Sequence, residues 1–136
     1  AGELSRRGYI ASITLRNSRG VDVLVAGADA AKSAGIQVKT NQGAKKQWVL
    51  SEKAESLSED GLFYVFVNLN GLDEAPSFHV VPSQVVAERC RNGHQEWLAG
   101  RKRDGGKRKD TTMRAFNDQE DEWKDRWDVL GLDPAV

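Results

Sequence analysis

The chain has 136 residues, 39% of them apolar and 29% charged, with 20 basic residues balanced by 20 acidic ones. That length and balance suit one globular domain spanning 1–136 with a core of its own, and argue against two. The single cysteine, Cys90, excludes an intrachain disulfide and a Cys-rich zinc site; no apolar run reaches the length of a membrane span and no secretory pattern opens the chain, so a cytoplasmic protein with no membrane partner is expected.

Residues 1–7 read as the closing turns of a helix, with Arg6 and Arg7 near its C-terminal end and Gly8 placed to cap it. Residues 9–15 are apolar and β-branched, a first strand, and Asn17-Ser18-Arg19-Gly20 supplies turn chemistry. Val21, Val23 and Val25 then alternate with Asp22 and Leu24, the period of two that marks a strand. Residues 27–35 carry little hydrophobic pattern and read as a loop. Beyond it Ile36 and Val38 alternate with Gln37 and Lys39. Side chains two apart on a strand leave from one face about 7 Å apart, so Gln37 and Lys39 project together while Ile36 and Val38 enter the core. If the two runs pair, Asp22 stands beside them.

Those residue types suit phosphodiester hydrolysis assisted by a hard divalent cation. Asp22 offers a carboxylate, Gln37 an amide oxygen and Val38 a backbone carbonyl, the oxygen donors that Mg²⁺ takes. Lys39 would orient or help deprotonate the attacking water and offset charge building on the phosphate. The plainer alternative is that the three are polar residues of a sheet face. A second acidic-x-Lys triplet, Glu122-Trp123-Lys124, lies where Trp123, Trp127 and Leu130 recur at helical spacing, and reads as the solvated flank of a helix.

Asp22, a loop, then Gln37-Val38-Lys39 resembles the Asp…(Glu/Gln)-x-Lys core of the PD-(D/E)xK, or restriction-endonuclease-like, nuclease superfamily. Arg7-Gly8-Tyr9, Asn17-Ser18-Arg19-Gly20 and the segments 62–67, 78–83 and 125–130 are similar to small bacterial endonuclease-like members. The resemblance implies a nuclease hydrolysing DNA with Mg²⁺ or Mn²⁺, with Asp22, Gln37 and Lys39 catalytic and Asp22, Gln37 and Val38 holding the metal. Gln37 departs from the usual acidic ligand. Many members also carry a Glu on the helix before the first strand; Glu3 is the one carboxylate ahead of Asp22 and a further candidate ligand, although the family position falls a turn or two upstream. A chain lacking part of that helix is therefore expected, with uncovered apolar sheet surface that could support a homodimer.

Residues 40–46 read as a polar loop, 48–50 as a short strand, and Ser51 as the cap of a brief helix ending near Leu57. The unbroken apolar run 62–67 suits a strand buried on both faces, followed by a loop at 68–76 and a strand at 77–81. Ser83 starts a helix in which Val86, Cys90 and Trp97 share a face and which Gly93 could break. Cys90 reads as a small packed group, and His79 and His94, without partners at nucleophilic or zinc spacing, as structural or surface residues. Residues 101–110 form a mobile basic loop whose Arg101, Lys102, Arg103, Lys107, Arg108 and Lys109 are either solvated or in contact with nucleic-acid phosphates. Residues 118–130 read as a helix packed on the sheet. The order implies an α/β fold with a central mixed sheet flanked by helices. The leading function is a metal-dependent DNA nuclease; the alternative is a non-catalytic nucleic-acid-binding or assembly protein on a degenerate nuclease fold.

Overall fold

Five strands make the central sheet, and their order follows from where the valine alternation points. In the computed structural model, which describes residues 1–18 and 20–135, a short helix α1 (Gly2–Arg6) leads into β1 (Ile10–Ser18), which runs antiparallel to β2 (Val21–Ala26). Arg19, part of the expected turn between them, lies outside the described residues. Val23 and Val25 are buried, and opposite them β3 (Ser33–Asn41) places Ile36 and Ala34. β3 starts earlier than expected: Ser33, Ala34 and Gly35 pair with Ala26, Val25 and Leu24, so the loop shrinks to 27–32. There the Asp29 carboxylate accepts the Ala31 amide at 3.0 Å, a local turn that needs no hydrophobic residue.

The chain then leaves the sheet. β4 (Gln47–Ser51) and a one-turn 3₁₀ helix (Glu52–Glu55) form the crossover to β5 (Leu62–Asn68), which returns parallel to β3, and β6 (Ser77–Pro82) closes the sheet antiparallel to β5. The mixed order is β1-β2-β3-β5-β6. Every residue of β5 is buried, as its unbroken apolar run requires. Phe63, Val65 and Val67 face one core with Leu4, Val25, Ile36 and Trp127; Tyr64 and Phe66 face a second with Trp48, Leu50, Val86 and Phe116. In the second core the Phe66 ring stacks on Phe116 at 4.7 Å between centroids.

Four expectations are corrected. Ser51 makes no side-chain cap; it is extended, and the Glu52 amide goes to the Thr112 carbonyl at 2.8 Å. Helix α2 (Ser83–Ala99) runs unbroken through Gly93, which faces open space, because Val86, Ala87 and Cys90 anchor it on the second core. Trp97 does not share that buried face and is 40% exposed. A strand absent from the sequence reading, β7 (Met113–Asn117), pairs antiparallel with β4 to form a separate two-stranded ribbon.

The fourth correction is the helix expected at 118–130, of which only a 3₁₀ turn (Trp127–Leu130) exists. Asp121 and Asp125 adopt left-handed φ values of 55° and 54°, which a helix does not admit. Asp118 supplies the alternative: its carboxylate accepts the amides of Glu122 and Trp123, both at 2.9 Å, and meets His79 Nδ1 at 2.6 Å inside the protein. The segment then crosses the outer edge of β6, where the Val80 amide donates to the Trp123 carbonyl at 3.0 Å and the Asp125 amide to the Phe78 carbonyl at 2.9 Å. Trp123 consequently packs on the second core and Trp127 in the first. Among the described residues no helix is long and apolar enough to cross a membrane.

Candidate active site

The β2–β3 ladder ends at the pair Val23 and Ile36, and Asp22 lies one residue beyond it. β2 departs from β3 there, with Val21 rising over Gly35, where a Cβ would come within 3.1 Å of Val21 Cγ2. Asp22 spans the gap with its side chain: Oδ2 accepts the Val38 amide at 2.8 Å, taking over a bond that the ladder no longer makes. On the other side Thr14 Oγ1 donates toward the carbonyls of Val21 at 2.8 Å and Asp22 at 3.2 Å, where the β1–β2 register shifts. Asp22 is thus fixed from both neighbouring strands.

Gln37 and Lys39 leave β3 together, on the face of Tyr64, and line a cleft of about 570 Å³ between the sheet and the β4 crossover. Leu50, Ser51, Lys53 and Ser56 form the facing wall. Among the described residues Gln37 Oε1 is buried and has no hydrogen-bond partner. An amide oxygen in that state costs about 1–3 kcal/mol unless a water or a ligand meets it. Gly20, at φ +80°, stands beside it: a Cβ there would lie 3.3 Å from Oε1 and 3.1 Å from Leu57 Cδ2, so a glycine keeps the space at the oxygen open. Tyr64 forms part of the floor, and burial pushes its hydroxyl up to about 12, keeping it protonated. Among the described residues neither Lys39 nor Lys53 has a carboxylate within ion-pair distance.

The Asp22 carboxylate accepts the Val38 amide, and Gln37 leaves β3 one residue before it; Gln37 lines the cleft, while Asp22 and Val38 are not among its lining residues. A carboxylate, an amide oxygen and a backbone carbonyl are donors that suit a hard cation. Among the described residues no group of three or more His, Cys, Asp or Glu side chains could hold a metal, so a cation held by these three groups would rest on one carboxylate and two neutral oxygens.

Glu3 is placed elsewhere. Its carboxylate accepts from Arg6 Nε and Nη2 at 3.0 and 2.7 Å and from Arg7 Nε at 2.8 Å, and the Arg6 bond leads in holding its carboxyl below the usual range. Helix α1 enters β1 where Ile10 faces Ala26, at the far end of β2 from Asp22. Asp22 and Ala26 are four residue steps apart on β2, about 13 Å at roughly 3.3 Å per residue. Glu3 is therefore not brought to Asp22; Arg7 ties it instead to Asp125 and Trp127.

The basic segment lies apart from the cleft, at the C-terminal end of α2. It is a small hairpin in which Arg101 bridges Lys107 and the Lys102 amide donates to Gly106 O at 3.0 Å. Arg108 is engaged, donating to the Trp97 carbonyl at 2.7 Å with its guanidinium 5.1 Å over the Trp97 ring.

Three features escaped the sequence reading. His79 and Asp118, 1% and 3% exposed, form a buried pair. His94 Nε2 meets Asp110 Oδ1 at 2.8 Å, which holds the Asp110 carboxyl below its usual range. Lys53 and Gly20 enter the cleft from segments read only as a turn and a short helix. Cys90 is a packed group, as expected: it is buried, and burial pushes its thiol up to about 11.

No protein-family model matches the sequence. No curated protein matches it either. Among solved structures the chain is similar to a bacterial homing endonuclease, I-Ssp6803I, with a TM-score of 0.52 at 12% identity over 95% of this chain and 80% of that one. At that identity the likeness is one of fold: an α/β, endonuclease-like architecture.

Proposed function

We propose that the cleft is the active site of a metal-dependent nuclease of the PD-(D/E)xK kind, hydrolysing DNA phosphodiester bonds in the cytoplasm, with 1–136 acting as one domain. The observation that carries this reading is the buried Gln37 Oε1, without a partner among the described residues, beside Lys39 and one residue from the amide that Asp22 holds. The fold shared with a homing endonuclease supports it.

In this reading Asp22, Gln37 Oε1 and the Val38 carbonyl hold Mg²⁺ or Mn²⁺. The ion would supply Lewis-acid polarisation of a phosphoryl oxygen and a more acidic bound water. The protein's own groups do the rest. Lys39 Nζ hydrogen-bonds the attacking water and a non-bridging phosphate oxygen, fixing the angle of attack and offsetting charge as the water oxygen bonds to phosphorus and the scissile P–O bond breaks; the water's proton passes to solvent, which in turn protonates the leaving sugar oxygen. The Val38 amide keeps the Asp22 carboxylate turned toward β3, so the ligand is oriented before the ion arrives. Leu57 and the protonated Tyr64 narrow the water-filled volume around the amide oxygen.

The test is plasmid cleavage by the full chain in Mg²⁺ and in Mn²⁺, beside Gln37→Ala and Lys39→Ala. Cleavage by the wild type that is lost in both variants supports the assignment; cleavage that survives Lys39→Ala refutes it. That among the described residues no carboxylate lines the cleft, and no group of three or more His, Cys, Asp or Glu side chains could hold a metal, favours a second reading, a non-catalytic nucleic-acid-binding or assembly protein. Duplex binding with no cleavage in either metal would select it. A homodimer belongs to the proposal as well, supported by Ile13 and Leu15 on β1, 69% and 97% exposed, and tested by mass in solution.

A further inference from the structure

We infer that Lys53 is the seat of a second phosphate, adjoining the one that Lys39 would meet, so that the cleft takes a polynucleotide strand rather than an isolated phosphate ester. The inference deepens the nuclease reading and rests on it for the position of the first phosphate.

Lys53 stands on the 3₁₀ turn that forms the far wall, opposite Gln37 and Lys39. The turn is anchored on every side. Its Ala54 is buried, and the Lys53 carbonyl accepts three donors, the amides of Ser56 at 3.2 Å and Leu57 at 3.1 Å and the hydroxyl Ser56 Oγ at 3.2 Å. The Glu55 carbonyl takes Arg91 Nη1 at 2.7 Å, tying the turn to α2. The backbone under Lys53 is thereby fixed, while its side chain is exposed and pairs with no carboxylate among the described residues.

The charges around it are arranged to leave that ammonium uncompensated. Glu55, two residues on, turns away from the cleft to bond Arg114 Nε at 2.6 Å. Neither Glu52 nor Glu55 lines the cleft; Ser51 does, and its hydroxyl can donate to an anion, whereas the Ser56 proton is taken by the Lys53 carbonyl. Two lysines on opposite walls, with the Ser51 hydroxyl beside them, carry more positive charge than one phosphodiester needs. A nucleic-acid strand carries one charge at every residue and satisfies both.

The experiment measures binding of a fluorescein-labelled DNA duplex without metal across a salt series, plasmid cleavage in Mg²⁺, and hydrolysis of bis(p-nitrophenyl) phosphate, which has one phosphate only. Lys53→Gln is expected to weaken duplex binding about threefold to tenfold and to flatten the log–log salt slope by roughly 0.9, the share of one phosphate contact. It should raise KM for plasmid at unchanged kcat and leave the small diester untouched, and Lys53→Arg should restore binding. Equal affinity and slope in Lys53→Gln and wild type would overturn the inference while leaving the nuclease reading intact. So would an equal loss on the small diester, which would place Lys53 at the scissile phosphate. A wild type that cleaves nothing, together with a flattened slope in Lys53→Gln, removes the nuclease reading and upholds Lys53 as a phosphate contact.

Discussion

Replacing Asp22 in two ways separates its two tasks. Its Oδ2 accepts the Val38 amide at 2.8 Å, a bond to a charged acceptor in a part-buried position, and its carboxylate is the one charged ligand assigned to the proposed ion. Asp22→Asn keeps an acceptor of the same shape, so only the charge assistance is lost, roughly 1 kcal/mol. Asp22→Ala leaves the Val38 amide without a partner where β2 has already left β3, which costs about 1–3 kcal/mol. Asp22→Ala loses the ligand and Asp22→Asn its negative charge, and Mn²⁺ affinity should fall at least about tenfold in each, roughly 1.4 kcal/mol. Urea denaturation gives the first quantity and calorimetric titration with Mn²⁺ the second. If Asp22→Asn binds Mn²⁺ as the wild type does, Asp22 is no ligand; if Asp22→Ala is as stable as Asp22→Asn, the bond to Val38 carries no weight.

Gly20→Ala places a methyl 3.3 Å from Gln37 Oε1 at a left-handed φ, so it should lower Mn²⁺ affinity and plasmid cleavage together; unchanged cleavage would show that the space is not used. Asp118→Ala strips the partner from His79 and from two backbone amides, and urea denaturation should show a loss of roughly 3–5 kcal/mol, against under about 1 kcal/mol if the pair were incidental. The bond to Lys46 holds the Asp121 carboxyl below its usual 3.8, so the stability from this pair is present above that value and is lost as pH falls through the depressed one. Asp121→Asn should therefore be less stable than wild type at pH 7 and converge on it in strong acid, as urea denaturation at the two pH values would record. Neutralising Arg101, Lys102, Arg103, Lys107 and Lys109 to Gln, with the engaged Arg108 left in place, should flatten the salt slope of duplex binding by about 0.9 for each residue that meets a phosphate, and an unchanged slope would mark the hairpin as solvated surface.

The parts of the fold that a sequence shows are those whose signal is local. The alternation of Val21 to Val25 and of Ile36 to Lys39 is written within a few residues, and both strands and the shared face of Gln37 and Lys39 follow from it. Ser33 to Gly35 carry no such signal; they are strand because Ala26 to Leu24 lie opposite. β7 is hidden by Arg114, a charged residue at a buried position made tolerable by Glu55, which lies far away in sequence. At 118–130 the spacing of Trp123, Trp127 and Leu130 matched a helix face, yet the two tryptophans serve opposite cores, and spacing alone cannot tell a shared face from a crossing. His79 and Asp118 meet across 39 residues, and Lys53 reaches the cleft only through the crossover between β3 and β5; both depend on topology that no short window contains.

The crossing at residues 123–125 gives the central sheet a direction of growth. At β6 the carbonyl of Phe78 and the amide of Val80 are already spoken for, so no further strand can be stitched on there. At β1 the ladder simply stops, along a strand that presents Ile10, Ile13 and Leu15 to solvent. Among the described residues β1 is the edge left open to an added strand, whether from a second copy or from a foreign extended peptide. Two copies meeting there by two-fold symmetry would run their β1 strands antiparallel and merge two sheets into one, placing the two clefts on opposite flanks of a single continuous surface.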